Sequence, residues 1–241
     1  VAGVTMKVGE DMNATDVKRE LPKDLQGDAL RKWAYQIYIK DYLRCVQSVD
    51  DSVGKLLDYL DASGQAANTI VIYTSDQGFF LGDHGWFDKR LMYEESLRMP
   101  FLMRYPGRIP PRSLNRDMIL NIDFAPMFLD YAGRSAHAEM QVRSFRSNVE
   151  GRTPRGWRTA MYYRYWMHNT NDHHVPAHYG VRTQRWKLIY YYGKPLGMTG
   201  SNPPDTTPDW ELFDVRSDPR EMHNLYHDPH YAGIVKHLKN Q

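Results

Sequence analysis

The chain has 241 residues, 41% hydrophobic and 25% charged, enough to bury one large core or two modest ones. Its formal charge of +2 gives no electrostatic argument for a nucleic-acid partner, and no apolar run approaches the length of a membrane span. A single cysteine excludes a disulfide within the chain and leaves the redox compartment open.

The sequence opens at Val1 with neither an initiator methionine nor a leader pattern, and is expected to be part of a longer protein. Residues 1–26 are polar and irregular, broken by Pro22, and are expected to form a surface loop. Asp28 is placed to cap a long helix beginning at Ala29. Trp33, Ile37, Leu43, Val46, Val49, Val53, Leu56, Leu57 and Leu60 recur at near-helical spacing, so one face is expected to pack on a sheet with Cys45 buried and inert. Gly64 ends this helix. Ile70–Tyr73 is a short apolar strand by pattern, stopping at Thr74-Ser75-Asp76-Gln77-Gly78. Ligands in α/β sheets sit beyond the carboxyl ends of strands, which places Asp76 at the edge of a site.

Gly82 and Gly85 then bracket Asp83 and His84, letting the backbone fold tightly. Lys89-Arg90, the acidic pair Glu94-Glu95 and Arg98 follow, and a second strand, Phe101–Tyr105, stops at Pro106-Gly107. A further strand is expected near Met118, and an apolar helix over Phe124–Tyr131 is closed by Gly133. Arg134–Arg158 is basic and poor in apolar residues, so it reads as a connector. Beyond it lie short strands at Met161–Tyr165, Tyr179–Arg182, Trp186–Tyr192 and Trp210–Phe213, with a long hairpin loop at Gly193–Asp209 and a closing helix at His230–Leu238. Trp and Tyr crowd between Trp157 and Trp210, which suits a packed sheet or a carbohydrate-facing surface, the packed sheet being the safer reading.

Five elements in this order resemble the C-terminal half of sulfatases, within the alkaline-phosphatase-like superfamily. They are Ser75-Asp76-Gln77-Gly78, Gly82-Asp83-His84-Gly85, Lys89-Arg90, Tyr93-Glu94 through Arg98-Met99-Pro100, and Tyr105-Pro106-Gly107. Asp123-Phe124-Ala125-Pro126-Met127 to Gly133 fits a further family element, and Met140-Gln141-Val142-Arg143-Ser144 another, with Val142 where the family carries glycine. The resemblance covers about Asp28 to the C-terminus. It implies an α/β fold: the C-terminal part of a mixed, mostly parallel sheet with helices on both faces, then a small antiparallel subdomain with a terminal helix. The expected divisions are residues 1–134 for the catalytic-domain part, 135–159 for the connector and 160–241 for the subdomain.

The resemblance also implies chemistry. Asp76 matches a calcium ligand of the family, and Gln77 stands where Asn or His is usual, its carbonyl a possible further oxygen donor. Lys89 matches the lysine that contacts the sulfate and helps neutralise the leaving group, and His84 is a candidate to donate to the leaving oxygen or to bind the sugar. Glu94 and Arg98 read as a structural pair. Among the histidines of the small subdomain (His168, His173, His174, His178), His178 is the best candidate for substrate contact. The family nucleophile, a formylglycine made within C-x-P-S-R, has no counterpart in this chain, since Cys45 lies in a helical pattern. The missing N-terminal portion is expected to supply it, with further calcium ligands. The expected partner is a sulfated small molecule or glycan, in a periplasmic, secreted or lysosomal setting. Two other readings stand beside this one, a phosphodiesterase-like relative and a non-catalytic glycan-binding remnant.

Overall fold

A computed structural model describes residues 4–241. Asn13 caps a single helical turn, α1 (Ala14–Val17), accepting from the Thr15 and Asp16 amides while Asp16 reaches back to the Asn13 amide. The long helix α2 (Gly27–Ala62) follows, then strand β1 (Val71–Thr74) and a tight hairpin of β2 (Phe80–Leu81) and β3 (Phe87–Asp88). A one-turn helix α3 (Glu94–Leu97) leads to strand β4 (Phe101–Arg104), helix α4 (Phe124–Tyr131) and the short α5 (Arg146–Val149). The chain ends in strands β5 (Ala160–Tyr165), β6 (His178–Thr183), β7 (Trp186–Tyr191) and β8 (Asp209–Asp214), and helix α6 (Ala232–Leu238). Among the described residues no helix is long and apolar enough to cross a membrane.

These elements form two compact units, neither of them continuous in sequence. The first joins Val1–Asp51, Gln77–Arg98 and Met161–Gln241, and the second joins Ser52–Asp76 and Met99–Ala160. The units cut across the expected divisions at 134 and 159, because the segment around the β2–β3 hairpin packs with the C-terminal sheet rather than with its sequence neighbours.

In the first unit the sheet runs β5-β6-β7-β8, with β6–β7 and β7–β8 antiparallel. Side chains alternate across it. Val181, Leu188 and Leu212 share one face and meet Ile234, Val235 and Leu238 of α6. Ile189, Tyr191 and Phe213 take the other face, against Phe80, Leu91, Met92 and Tyr93. Gly180 sits where this packing is closest: an added Cβ would fall 2.6 Å from Met92 Sδ and 2.3 Å from the Leu188 carbonyl. Residues 4–17 are not a surface loop. Val4 and Met6 are buried in this core, and the Met6 carbonyl accepts from the Phe87 amide at 2.8 Å. Met12 and Val17 pack with Ala34 of α2 and Phe87.

The first turns of α2 bury the expected face, through Ala34 with Trp33, Ile37 and Tyr38 around it. Farther along, Leu43, Val46, Val49 and Leu56 are exposed. Cys45 is exposed as well, which corrects the expectation of a buried thiol: residues 42–52 are all exposed.

In the second unit β1 and β4 pair with each other, antiparallel, from Val71 opposite Arg104 to Thr74 opposite Phe101. A mixed sheet admits such a pair, and among the described residues it stands as a sheet of two strands. One face of the pair (Ile72, Phe101, Met103) enters a core with Met127, Phe145 and Trp157, while Tyr73 and Leu102 point outward. No strand forms at Met118, whose carbonyl instead accepts from the Trp157 indole at 2.8 Å. The supposed connector is therefore core: Phe145 is fully buried, edge-on to Phe101 and Phe124, and Trp157 is nearly so. Arg158 pairs with the buried Asp123, which also accepts the Leu120 amide at the start of α4. Val142 does not adopt a positive φ.

Candidate active site

In the first unit, the β2–β3 hairpin orders the residues singled out between positions 77 and 98. Phe80 pairs with Asp88 and Leu81 with Phe87, and Gly82 at φ 109 turns the chain with its amide donating to the Trp86 carbonyl at 2.9 Å. His84 lies at the tip of this hairpin, whereas Lys89 leaves it at the base, the end at which the chain enters from Gln77. The structure therefore separates His84 from Lys89 along the hairpin. Gly78 holds the entry: its amide donates to the Ser96 carbonyl at 2.8 Å, and a Cβ there would stand 2.0 Å from the Glu95 carbonyl.

Lys89 is exposed, and its two neighbours are tethered. Asp88 is buried and has φ 101, a region that non-glycine residues rarely occupy. Its Oδ1 accepts the Lys89 amide at 2.7 Å, while Oδ2 pairs with Arg90 and lies 3.2 Å from His173 Nδ1. His173 sits on the loop between β5 and β6, where its amide and carbonyl both meet the Thr170 hydroxyl. Sequence reasoning missed Asp88 and ranked His173 below His178. The signal for Asp88 was its place between a hairpin strand and a candidate lysine.

His178 is not on an overhanging loop. It opens β6, is fully buried, and its ring packs 5.3 Å from Tyr165 and 5.0 Å from Tyr191. Its Nδ1–H donates to the Pro176 carbonyl at 2.7 Å, and burial pushes its pKa down to about 4. With no accessible surface in this structure, His178 does not fit the substrate contact expected of it. His168 is likewise internal, with Nδ1 accepting the Ala177 amide and Nε2 bonded to the Pro204 carbonyl.

His84, at φ 57, stacks on Trp86 at 5.3 Å and meets Tyr93 edge-on at 4.9 Å. Its Nε2 is 3.7 Å from Glu95 Oε2, a buried oxygen with no hydrogen-bond partner among the described residues. Both line an open cleft of about 500 Å³ with Tyr35, Gly82, Arg220 and Met222.

Later in the chain than Lys89, α3 is fixed by buried charge. Arg182 grips both oxygens of Glu94 at 3.0 Å, and Lys187 Nζ lies 2.9 Å from Glu94 Oε1. Burial alone would raise the Glu94 pKa, but the hydrogen bonds from Arg182 and the charge of Lys187 outweigh it and hold it down to about 2. The partner of Glu94 is thus not Arg98, which is exposed. Tyr93 and Tyr191 both donate to Glu211 Oε2, at 3.0 and 2.9 Å, and burial raises the Glu211 pKa.

In the second unit, β1 ends just before Ser75 and Asp76. Asp76 is exposed, and its Oδ1 accepts the Ser75 hydroxyl at 3.2 Å. Gln77, the first residue of the other unit's segment, is half-buried. A carboxylate and a carboxamide are hard oxygen donors of the right chemistry for calcium, but fall short of the roughly six to eight oxygens it takes. Among the described residues no group of three or more His, Cys, Asp or Glu side chains gathers as a metal site.

Comparison with known proteins bears on the family of the chain. A family model described as sulfatase matches residues 10–134, and one described as N-sulphoglucosamine sulphohydrolase, C-terminal, matches residues 82–241. An N-acetylglucosamine-6-O-sulfatase of Bacteroides thetaiotaomicron is 46% identical over 217 residues, 89% of this chain and 37% of its own length. An N-acetylglucosamine-6-sulfatase of Bos taurus is 39% identical over 114 residues, 46% of this chain and 20% of its own. A structure solved in complex with its substrate D-glucosamine-2-N,6-O-disulfate superposes with a TM-score of 0.85 at 37% identity, covering 99% of this chain and 54% of that one. The chain thus spans about half, or less, of the length of each of these relatives. With both family models matching more than half of its residues, the chain belongs to the sulfatase family.

Proposed function

We propose that the whole protein hydrolyses sulfate monoesters of carbohydrates, with Lys89 as the cation that meets the sulfate. The observation that carries this reading is the setting of Lys89, an exposed ammonium next to a buried aspartate held at φ 101 by Arg90 and His173. Backbone strain of this kind costs about 1–3 kcal/mol and persists only where the surroundings enforce it, which is typical of sites where direction matters. Here it fixes the course of the chain at Lys89. A compact ammonium aimed at the ester offsets charge growing on the sulfate and leaving oxygens. Asp88, Arg90 and His173 add an acceptor and donors suited to sugar hydroxyls. His84, enclosed by rings and facing Glu95, holds the hairpin tip in this reading rather than meeting the ester.

Asp76 and Gln77 are the proposed calcium ligands within this chain. Calcium, when bound, would polarise the sulfate oxygens. The remaining ligands and the formylglycine nucleophile are assigned to the part of the protein outside this chain. The relatives named for N-acetylglucosamine 6-sulfate support a sulfated amino sugar as substrate, and a periplasmic, secreted or lysosomal setting accords with it.

The test is sulfate release from N-acetylglucosamine 6-sulfate by the full-length protein and its variants. Lys89→Ala is expected to lower kcat and kcat/KM together by about a hundredfold or more, with thermal unfolding unchanged. Asp88→Asn, which tolerates positive φ but loses the charge, should cost about ten- to a hundredfold. Unchanged kcat/KM in Lys89→Ala, or no sulfate release from any ester by the wild type, overturns the reading.

A further inference from the structure

The face of the β5–β8 sheet that meets α6 also carries an aromatic ladder reaching beyond that helix. Tyr179 is in register with Tyr190, and Tyr190 with Trp210. Ring centroids are 6.0 Å apart for Tyr162 and Tyr179, 5.5 Å for Tyr179 and Tyr190, and 4.3 Å for the stacked Tyr190 and Trp210. Tyr226 continues the stack on Trp210 at 5.4 Å and 4°. With about 4.8 Å per strand, the ladder extends about 14 Å from β5 to β8. Its β8 end is anchored in the cluster under α6, and its β5 end is open, with Tyr162 62% and Trp166 43% exposed.

Two cations lie on these rings. The Arg164 guanidinium is 3.4 Å from the Trp166 ring centroid and 5.3 Å from that of Tyr192. Lys239 Nζ is 3.8 Å from the Trp210 centroid and donates to the Tyr226 hydroxyl at 2.8 Å. Among the described residues neither forms an ion pair, and Arg164 Nε is buried without a hydrogen-bond partner. Asp209, at the start of β8, is in register with Tyr191 on the opposite side-chain parity and accepts the Trp210 amide at 2.7 Å. A stacked guanidinium with unmatched donors is disposed to take an anion in its plane. Tyr190, Trp210 and Tyr226 have faces taken up by one another, whereas Tyr162 and Trp166 at the open end leave aromatic surface to solvent that suits the C–H face of a sugar ring.

We propose that this ladder is a binding platform for a sulfated polysaccharide, its sugars packing on the open-end rings Tyr162 and Trp166 and along the edges of the ladder while Arg164 and Lys239 meet sulfates. The choice of ligand class rests on the sulfated-carbohydrate reading above, but binding here requires no turnover. The surface would hold polymer to the protein whether or not a given residue of that polymer is being cleaved.

The experiment titrates the full-length protein with dextran sulfate, unsulfated dextran and oligothymidylate at one ionic strength, alongside a Tyr162→Ala/Arg164→Gln double variant and Lys239→Gln. Wild type is expected to prefer dextran sulfate over both other polymers. The double variant should weaken that binding by about tenfold, the scale of losing one cation and one ring contact, with an unchanged unfolding midpoint. Lys239→Gln, at an exposed position, should weaken it in the same direction and serves as the judge if the double variant unfolds early. Unchanged dextran sulfate affinity in the variants overturns the proposal, as does equal affinity for unsulfated dextran. Oligothymidylate binding as tight as dextran sulfate would reassign the surface to nucleic acid. Sulfate release is not read in this titration, so it and the catalytic reading fail separately.

Discussion

Lys187 Nζ, with no exposed side-chain surface, lies 2.9 Å from Glu94 Oε1, an ion pair between the middle of the C-terminal sheet and the first residue of α3. Glu221 closes the arrangement, 2.6 Å from the same ammonium through Oε1 and accepting the Glu94 amide through Oε2 at 2.7 Å. Buried pairs of this kind gain little over an apolar core while intact, because desolvation offsets their attraction. Breaking one is costly. Here the network ties the segment that follows Lys89 to β6 and β7, so its integrity bears on the proposed site.

Replacing Lys187 with methionine leaves Glu94 and Glu221 buried with Arg182 as their one remaining cation, one fewer than their charge requires. The expected loss is about 3–5 kcal/mol of unfolding free energy, read as a lowered urea midpoint. Adding Glu221→Gln to the same protein should recover part of it, since one uncompensated charge is removed. An unchanged midpoint in Lys187→Met would show that the pair contributes nothing.

Glu94 also sets a pH dependence whose sign follows from its shift. Its folded pKa is about 2 against an ordinary 4.5, so the stability it contributes is full above about pH 4.5 and is lost as pH falls through 2. The whole difference corresponds to about 3 kcal/mol. Glu211 and Glu221, raised by burial, act in the opposite sense: their contribution is present in acid and is lost as pH rises through their folded values. Unfolding free energies measured between pH 5 and pH 2.5 should therefore fall less steeply in Glu94→Gln than in wild type, and more steeply in Glu211→Gln. Parallel profiles for Glu94→Gln and wild type would remove Glu94 from the account.

Asp76→Ala in the full-length protein is expected to abolish calcium content and activity together, because it removes the charged ligand proposed in this chain. Metal analysis after gel filtration decides the matter. Wild-type calcium content in the variant would show that Asp76 is not a ligand.

What the sequence made legible is what carries a local signal. Helix α4 could be placed because Phe124 to Tyr131 is apolar, opens after Asp123 and closes at Gly133. The four C-terminal strands could be placed because β-branched and aromatic runs alternate with turn residues. The misses share a different cause. Val4 and Met6 look like loop residues, and only contacts with the hairpin and the distant sheet make them core. Phe145 and Trp157 are single aromatics in a basic stretch, so no periodicity announces that they fill the space beneath Ile72 and Phe101. His173 and His178 are five positions apart on an apparently polar loop, and the start of β6 alone decides that one reaches Asp88 while the other is sealed among tyrosines. The antiparallel pairing of β1 with β4 is equally invisible locally, since each reads as the same apolar strand in either direction.

The exposed face of α2 supplies the last prediction. Leu43, Val46, Val49, Leu56 and Tyr59 are 44–62% exposed, with Cys45 between the first two. Fully burying one such side chain is worth about 1.5–3 kcal/mol, so an open row of them favours association with whatever apolar surface is available. Residues 1–241 expressed alone are therefore expected to self-associate on concentration, and their Cys45, when diluted to the dissociated state, to react fully with a maleimide under native conditions. In the full-length protein the proposed N-terminal portion would cover this face, and the thiol would react only through local opening. An opening cost of about 3 kcal/mol would slow labelling by about a hundredfold. Mass spectrometry of timed samples gives both rates, and sedimentation gives the association state of the isolated chain. Equal labelling rates in the two proteins would show that α2 stays open to solvent. A monomeric, cooperatively unfolding chain of residues 1–241 would show that the exposed row does not drive association, whatever the longer protein does with it.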